Sequence, residues 1–401
     1  MIKEEITIRN KGAVLWEVFT TALKLGLTSF GGPVAHLGYF HNEYVTRRKW
    51  IDERTYADLV ALSHFLPGPA SSQVGMGVGM MRAGLLGGII AWLGFTLPSV
   101  IALFIAASLL QQAGIVEIGW MHGLKIVAVA IVAHAVWNMG KSLAPDRSRM
   151  TIAVLACVLV VIWPSAITQV LLIIAAGLAG IYLYRGAQEK SISSVENAPI
   201  GKGFGISCLV LFFLLLIGLP LLSEMTGSSW IAYFDSFYRA GALVFGGGHV
   251  VLPMLERELV PQGLIDADSF LAGYGLTQAV PGPLFTFASY LGTVIEGALG
   301  AVVFTLAIFL PGALLIMGAI PFWQQLRGKS GIQGALKGVN AAVVGLLLAA
   351  FYDPVFTSAV RGPYDFVLAL VLFVMLVWWK LPPWIIVLLG LFSGMALLPS
   401  V

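Results

Sequence analysis

The residues of this 401-residue chain best suited to chemistry are two glycine-proline phrases, each written twice. Phe30-Gly31-Gly32-Pro33 and Pro67-Gly68-Pro69 in the first half return as Phe245-Gly246-Gly247-Gly248 and Pro281-Gly282-Pro283, each roughly 215 residues later. Proline suits the first helical position, where its missing N–H is no loss, and glycines beside it leave backbone N–H groups uncovered by side chains. Four such helix starts, each worth about half a positive charge, together suit a tetrahedral dianion.

Polar side chains near these turns extend the candidate site. Ser71, Ser72 and Gln73 follow the first Pro-Gly-Pro and can donate to an anion, whereas Phe285, Thr286 and Phe287 follow the second. An asymmetric site is therefore expected, richer in polar contacts from the first half, although each serine can also bond back to its own helix. Lys125 and Lys337 occupy matched places. A lysine inside a membrane calls for an anionic partner, and one near a helix end can instead snorkel to the interface, as Arg82 is expected to do. For proton coupling the candidates are His36 and His64, with Glu43 and Glu258 after the first broken segment of each half. His134 and His249 also lie on or near these segments; histidine titrates near neutral pH, but a lone one is more often simply hydrogen-bonded. Asp52 and Asp266 read as helix caps.

These groups must be positioned by membrane helices. Hydrophobic residues make up 58% of the chain and charged ones 11%, far from the roughly 25% charge of soluble domains. Apolar stretches such as 83–110, 126–139, 204–222, 299–320 and 339–351 mostly suffice to cross a core of about 30 Å as helices. The first twelve residues lack the pattern of a signal peptide. Cys157 and Cys208 sit in apolar runs, so neither a disulfide framework nor a thiolate metal site is expected, and no cofactor is called for. With a net charge of +3 and basic residues scattered in short loops, nucleic acid is not an expected partner.

The duplication extends through Ile51-Asp52 with Ile265-Asp266, Gly87 with Gly300, Pro98 with Pro311, and Leu124-Lys125 with Leu336-Lys337. Matched loops reverse their charge bias: Arg47-Arg48-Lys49 against Glu256-Arg257-Glu258, the Lys- and Arg-free 111–120 against Arg327 and Lys329, and Lys141, Arg147 and Arg149 against Arg361 alone. Short cytoplasmic loops favour Lys and Arg, so the halves are expected to be inverted-topology repeats, with 204–222 as the extra crossing. The expected fold is an all-α polytopic membrane protein of two such repeats with broken, re-entrant helices. Its parts are a first repeat over 1–185, a cytoplasmic linker over 186–203, and a second repeat over 204–401. Helices 15–30 and 34–45 should form one re-entrant hairpin, and 55–66 with 70–80 another.

An enzyme is not supported, because HExxH, GxSxG and any ligand-spaced Cys/His group are missing from the sequence. A passive anion channel would use a similar lining and stays open on the sequence alone. Phe30-Gly-Gly-Pro through His36, Arg47-Arg-Lys-Trp50, Phe65-Leu-Pro-Gly-Pro69 and Gln278-Ala-Val-Pro-Gly-Pro283 resemble the chromate ion transporter family in its long, two-repeat form. The resemblance covers essentially the whole chain. It implies a multi-pass carrier in the plasma membrane that exports chromate, driven by the proton motive force, with sulfate as a near-isosteric alternative cargo. The N-terminus is then cytoplasmic and the C-terminus outside; a homodimer is left open. One departure is Gly248 where the first half has Pro33, with Pro253 following, which questions where the second half-helix begins.

Overall fold

A computed structural model describes residues 11–30, 32–112, 119–184, 200–245, 248–323 and 330–397. Gly31, Gly246 and Gly247, most of the linker, Arg327, Lys329 and the first ten residues lie outside these. Among the described residues all regular structure is helical. Five helical stretches are long and apolar enough to cross a membrane: 70–111, 122–143, 202–226, 284–322 and 331–359. These contain the five apolar stretches read from the sequence.

The first repeat consists of α1 (Lys11–Thr28), α2 (Gly32–Phe40, continued by a π-helical stretch His41–Arg47), α3 (Glu53–Phe65), α4 (Ala70–Gln112), α5 (Gly119–Leu143), α6 (Arg147–Ile162) and α7 (Ala166–Leu183). After the unmatched α8 (Lys202–Thr226) the same order returns. It comprises α9 (Ser229–Leu243), α10 (Val251–Leu259), α11 (Ala267–Thr277), α12 (Phe287–Ala319), α13 (Ser330–Ala350), α14 (Pro363–Val377) and α15 (Pro383–Leu397).

Backbone geometry repeats with the sequence. Gly68 and Gly282, at the centres of the two Pro-Gly-Pro turns, have φ of 114° and 111°. Only glycine takes such angles without strain. Asp52 caps α3 through the Thr55 N–H at 2.9 Å, and Asp266 caps α11 through the Ser269 N–H at 2.8 Å, as expected of both.

The longest helices are not single rods. At 42 residues and about 1.5 Å per residue, 70–111 would be twice as long as a bilayer core is thick. It breaks at Ala83 (φ −140°) and Gly84 (φ 70°), and α12 breaks at the matched Glu296 (φ −135°) and Gly297 (φ 65°). At both breaks the chain doubles back, so that the backbones of Gly79 and Gly87, and of Gly292 and Gly300, touch. In a straight helix residues eight apart lie about 12 Å from each other. Each long element is therefore two limbs of a tight hairpin, and the Gly-Gly contact permits the close approach that a side chain would block.

Ion pairs close the mouths of the hairpins. Lys24 on α1 meets Glu43 beyond α2 at 3.2 Å, and at the matched positions Arg239 on α9 meets Glu258 on α10 at 3.1 Å. Glu43 also receives Arg48 at 2.8 Å and Arg47 at 3.1 Å. Glu17 binds Arg48 at 3.0 Å and Arg82 at 3.5 Å, and both guanidinium groups lie over the Trp50 ring. The beginning of α1, the end of the α2 stretch and the end of the first limb of α4 thus share one end of the molecule. Each of the two hairpins therefore begins and ends near the same end of the molecule. Arg82, expected at the interface, is instead 8% exposed within this cluster.

The repeats interlock. Gly123 of α5 packs backbone to backbone on Gly390 of α15, and Gly334 of α13 on Gly180 of α7, so the fifth helix of each repeat lies against the last of the other. Large apolar side chains of α8, among them Ile217 and Phe213, face outward, as a lipid-facing helix requires.

Candidate anion-binding site

The two Pro-Gly-Pro turns are held by the opposite repeat. The Gly68 N–H donates to the Val244 carbonyl at 2.7 Å, and the Gly282 N–H donates to the Ser29 carbonyl at 3.0 Å. Ser29 and Val244 are themselves matched, each one residue before the Phe-Gly-Gly phrase. Gly312, next to Pro311, packs on Gly68 and Pro69, and Ser99, next to Pro98, packs on Gly282. Both Pro-Gly-Pro turns thus lie at the boundary between the repeats, whereas Gly31, Gly246 and Gly247 of the other two turns lie outside the described residues.

This crossing uses groups that the sequence offers to an anion. The central N–H of each Pro-Gly-Pro is spent on a carbonyl. Gln73 directs its amide N–H toward the carbonyls of Pro67, at 2.9 Å, and Gly312, at 3.2 Å, so it locks the turn. Thr286 bonds back to the Pro283 carbonyl at 2.7 Å. Ser71 and Ser72 are buried at 2% exposure, and the Ser72 hydroxyl has no partner among the described residues. Pro67, Pro69, Pro281 and Pro283 shape the crossing from behind.

A cavity of about 520 Å³ lies beside it. Its wall holds Gly32 and Pro33 at the start of α2, His64 at the end of α3, His134 and Asn138 on α5, His249 after the third turn, Gln278 ahead of the fourth, and Lys380 between α14 and α15. Gly32, with φ 78°, reverses the chain into α2, and Pro33 follows as its second residue, so the unbonded N–H groups of the first helical turn lie at the cavity. His64 and Gln278 are matched residues, each three before the first proline of its Pro-Gly-Pro. Among the described residues no carboxylate lines it. Basic and amide groups around a helix N-terminus, without acidic competitors, form an environment for an anion.

Other expected residues lie elsewhere. Lys125, 3% exposed, is paired with Asp268 at the start of α11 at 2.6 Å, a carboxylate that Arg361 also approaches at 3.8 Å. Its charge is already neutralised. Lys337 lies over the ring of Tyr184 at 5.7 Å. His36 is buried against the Phe95 ring, outside the cavity lining. Burial acts to raise the pKa of Glu43, but hydrogen bonds from Arg48, Lys24 and Arg47 outweigh it and hold the carboxyl below its ordinary value. Glu43 is thereby held as a charged clamp, and Glu258 has Arg239 as its ion-pair partner at the matched position. The described N-terminal segments also differ between repeats. α2 begins directly at Gly32, whereas the second repeat runs through 3-10 turns at Gly248–Val250 and Leu284–Thr286 before α10 and α12 begin. Polar side chains at the cavity come from both repeats, Tyr39, His64, His134 and Asn138 from the first and His249, Gln278 and Lys380 from the second.

Sequence reading missed Gln278 and Lys380 as cavity residues and Lys24 and Arg239 as clamp partners. The matched positions of His64 with Gln278, and of Lys24 with Arg239, were signals available in the alignment of the two halves.

The model of the family described as chromate transporters matches residues 16–181 and 231–395. A chromate transport protein of Pseudomonas aeruginosa is 28% identical, over 86% of this chain and 82% of its own length. An uncharacterized transporter of Methanocaldococcus jannaschii is 26% identical, over 86% of both chains. A chromate transport protein of Cupriavidus metallidurans is 26% identical, over 82% of this chain and 79% of its own. No solved structure matches.

Proposed function

The chain belongs to the chromate transporter family, and from that premise we propose that it exports chromate, or a like-shaped oxyanion such as sulfate, held in the cavity beside the crossed turns. It is a multi-pass membrane protein, and members of its family are transporters. The observation that carries the reading is the cavity itself: the start of α2 faces His64, His134, His249, Gln278 and Lys380 across a space without a lining carboxylate.

The two repeats, 1–185 and 204–401, are read as inverted. In support, the start of α11 is paired with Lys125 in the first turns of α5, whereas Tyr39, close to the start of α3, lines the cavity with Asn138 further along the same helix. Those thirteen residues of helix amount to about 20 Å, so matched helix starts lie toward opposite ends of α5. The charge bias makes the end that holds Arg47 and Arg48 cytoplasmic. In this reading the protein sits in the plasma membrane with its N-terminus inside and C-terminus outside.

An anion leaving an inside-negative cell moves with the electric field. Each 100 mV supplies about 2.3 kcal/mol per charge, hence about 4.6 kcal/mol for a dianion. The proton-coupling role is read at His64, which lines the cavity, whereas the other candidates, His36, Glu43 and Glu258, are not among its lining residues. The test is chromate uptake into inside-out vesicles, with and without a pH gradient and with sulfate as competitor. Accumulation against a chromate gradient is expected. Uptake that stops at equal concentrations whatever the imposed gradient would leave only a passive pore.

A further inference from the structure

His249 faces the cavity with one ring nitrogen already committed. Its Nδ1 lies 2.5 Å from the hydroxyl of Tyr274, a residue 1% exposed on α11. A phenol is a far better proton donor than a neutral imidazole, so Tyr274 donates and Nδ1 accepts. The ring proton is thereby fixed on Nε2. A neutral His249 in this tautomer offers an N–H donor to whatever occupies the cavity. Four residues after Tyr274, on the same face of the helix end, comes Gln278. It lines the cavity at 8% exposure, and its amide nitrogen has no acceptor among the described residues. A buried donor without a partner is costly unless a ligand completes it.

We infer that His249, held by Tyr274, and Gln278 select the protonation state of the cargo, so that the cavity takes tetrahedral dianions bearing no proton and turns phosphate away. The inference rests on the anion reading above and adds its selectivity. A fully ionised dianion only accepts hydrogen bonds, and donors from neutral groups satisfy it without a proton being taken up by His249. Phosphate near neutral pH keeps at least one P–OH, whose proton needs a strong acceptor, and among the described residues the lining supplies no carboxylate to serve as one. Tyr274 is a positioning residue in this scheme, since it acts through the imidazole. Among the described residues the other titratable or charged groups facing the space are Tyr39 on α2, His64 on α3, His134 on α5 and Lys380 before α15.

The test is direct anion binding to the purified full chain, with sulfate as the dianion probe because it stays unprotonated across the range used, and with inorganic phosphate as the competitor. Wild-type protein is expected to bind sulfate at least about tenfold more tightly than phosphate near pH 7. Gln278→Glu, which supplies a carboxylate acceptor, should lose sulfate and gain phosphate. Tyr274→Phe frees the tautomer, so its sulfate affinity should fall about tenfold while its phosphate affinity holds, because an Nε2 without its proton can accept from P–OH. A merely structural loss would weaken both anions equally. Equal binding of sulfate and phosphate by the wild type, which needs no variant to fold, overturns the inference, as does an equal loss of both anions in Tyr274→Phe or an absence of any anion binding. Selective binding without vesicle transport would instead sink the carrier reading and leave the selectivity standing.

Discussion

The two halves of this molecule share a backbone and differ in chemistry. Gly68 and Gly282 take nearly the same φ, the doubled-back helices break at matched residues, and each Pro-Gly-Pro binds the carbonyl that precedes the other half's Phe-Gly-Gly. Side chains at matched positions have diverged. His64 corresponds to Gln278, Val34 to His249, and Lys125, buried against Asp268, to Lys337, lying on an aromatic ring. The duplicated features are those that cross or close the repeats, while the cavity draws different groups from each. Symmetry builds the frame, and asymmetry makes the site.

The comparison breaks most sharply at the shared glycines. Gly68→Ala and Gly282→Ala should each reduce transport by about a hundredfold, because even a small displacement of positioned groups has effects of that size. Both force a side chain onto a left-handed backbone. Gly282→Ala should be the worse of the two, since its Cβ would come within 2.7 Å of the Ser99 hydroxyl, against 3.1 Å from Gly312 for Gly68→Ala. Chromate resistance and vesicle uptake, compared at equal membrane protein level, measure this. Wild-type transport by either variant would show that the crossing is dispensable.

The matched lysines sharpen the contrast. Lys125→Gln strands Asp268 beside a buried helix, and should lower thermal stability in detergent by about 2 kcal/mol, less than the loss of a fully buried pair because Asp268 is 30% exposed. Asp268→Asn in the same chain should restore part of the loss. Lys337→Gln removes only a contact over Tyr184 and should cost about 0.5 kcal/mol. Equal losses at the two positions would mean that they are as alike in role as in sequence.

The smallest effect is expected at the clamps. Glu43 has its pKa lowered in the folded state, so its contribution is present at neutral pH and is lost as pH falls through that depressed value. Glu43→Gln should therefore melt earlier than wild type at neutral pH, by about 1 kcal/mol because Lys24 and Arg47 are well exposed, and the two curves should converge in acid. Glu258→Gln, with Arg239 as its ion-pair partner, should lose less. Dependence of transport on a pH gradient should survive in both, and its loss would return the carboxylates to the coupling mechanism.

Much of the frame was readable in the sequence because glycine, proline and capping aspartates declare their local geometry. The helix order, the caps at Asp52 and Asp266 and the break points near the Pro-Gly-Pro phrases follow from what those residues permit. The site was less legible, since a residue's type does not say which neighbour claims it. Gln73 has the right groups for an anion and spends its N–H on carbonyls; Lys125 has the right charge and meets Asp268. Pro67 is only six residues from Gln73, but Gly312 and Asp268 lie far away in the chain, where spacing conveys nothing. Lys380, in a short loop between two apolar helices, acquires meaning only once that loop is seen against α5.

The exchanged bonds at Gly68 and Gly282 have a bearing on assembly. A half-chain ending before α8 would hold one donor and one acceptor whose counterparts belong to its sibling, and would be incomplete at its own centre. Two fragments severed in the linker and made together should find each other and regain transport, whereas either made alone should be cleared by proteases. Such an architecture couples the survival of each half to the arrival of the other during biogenesis.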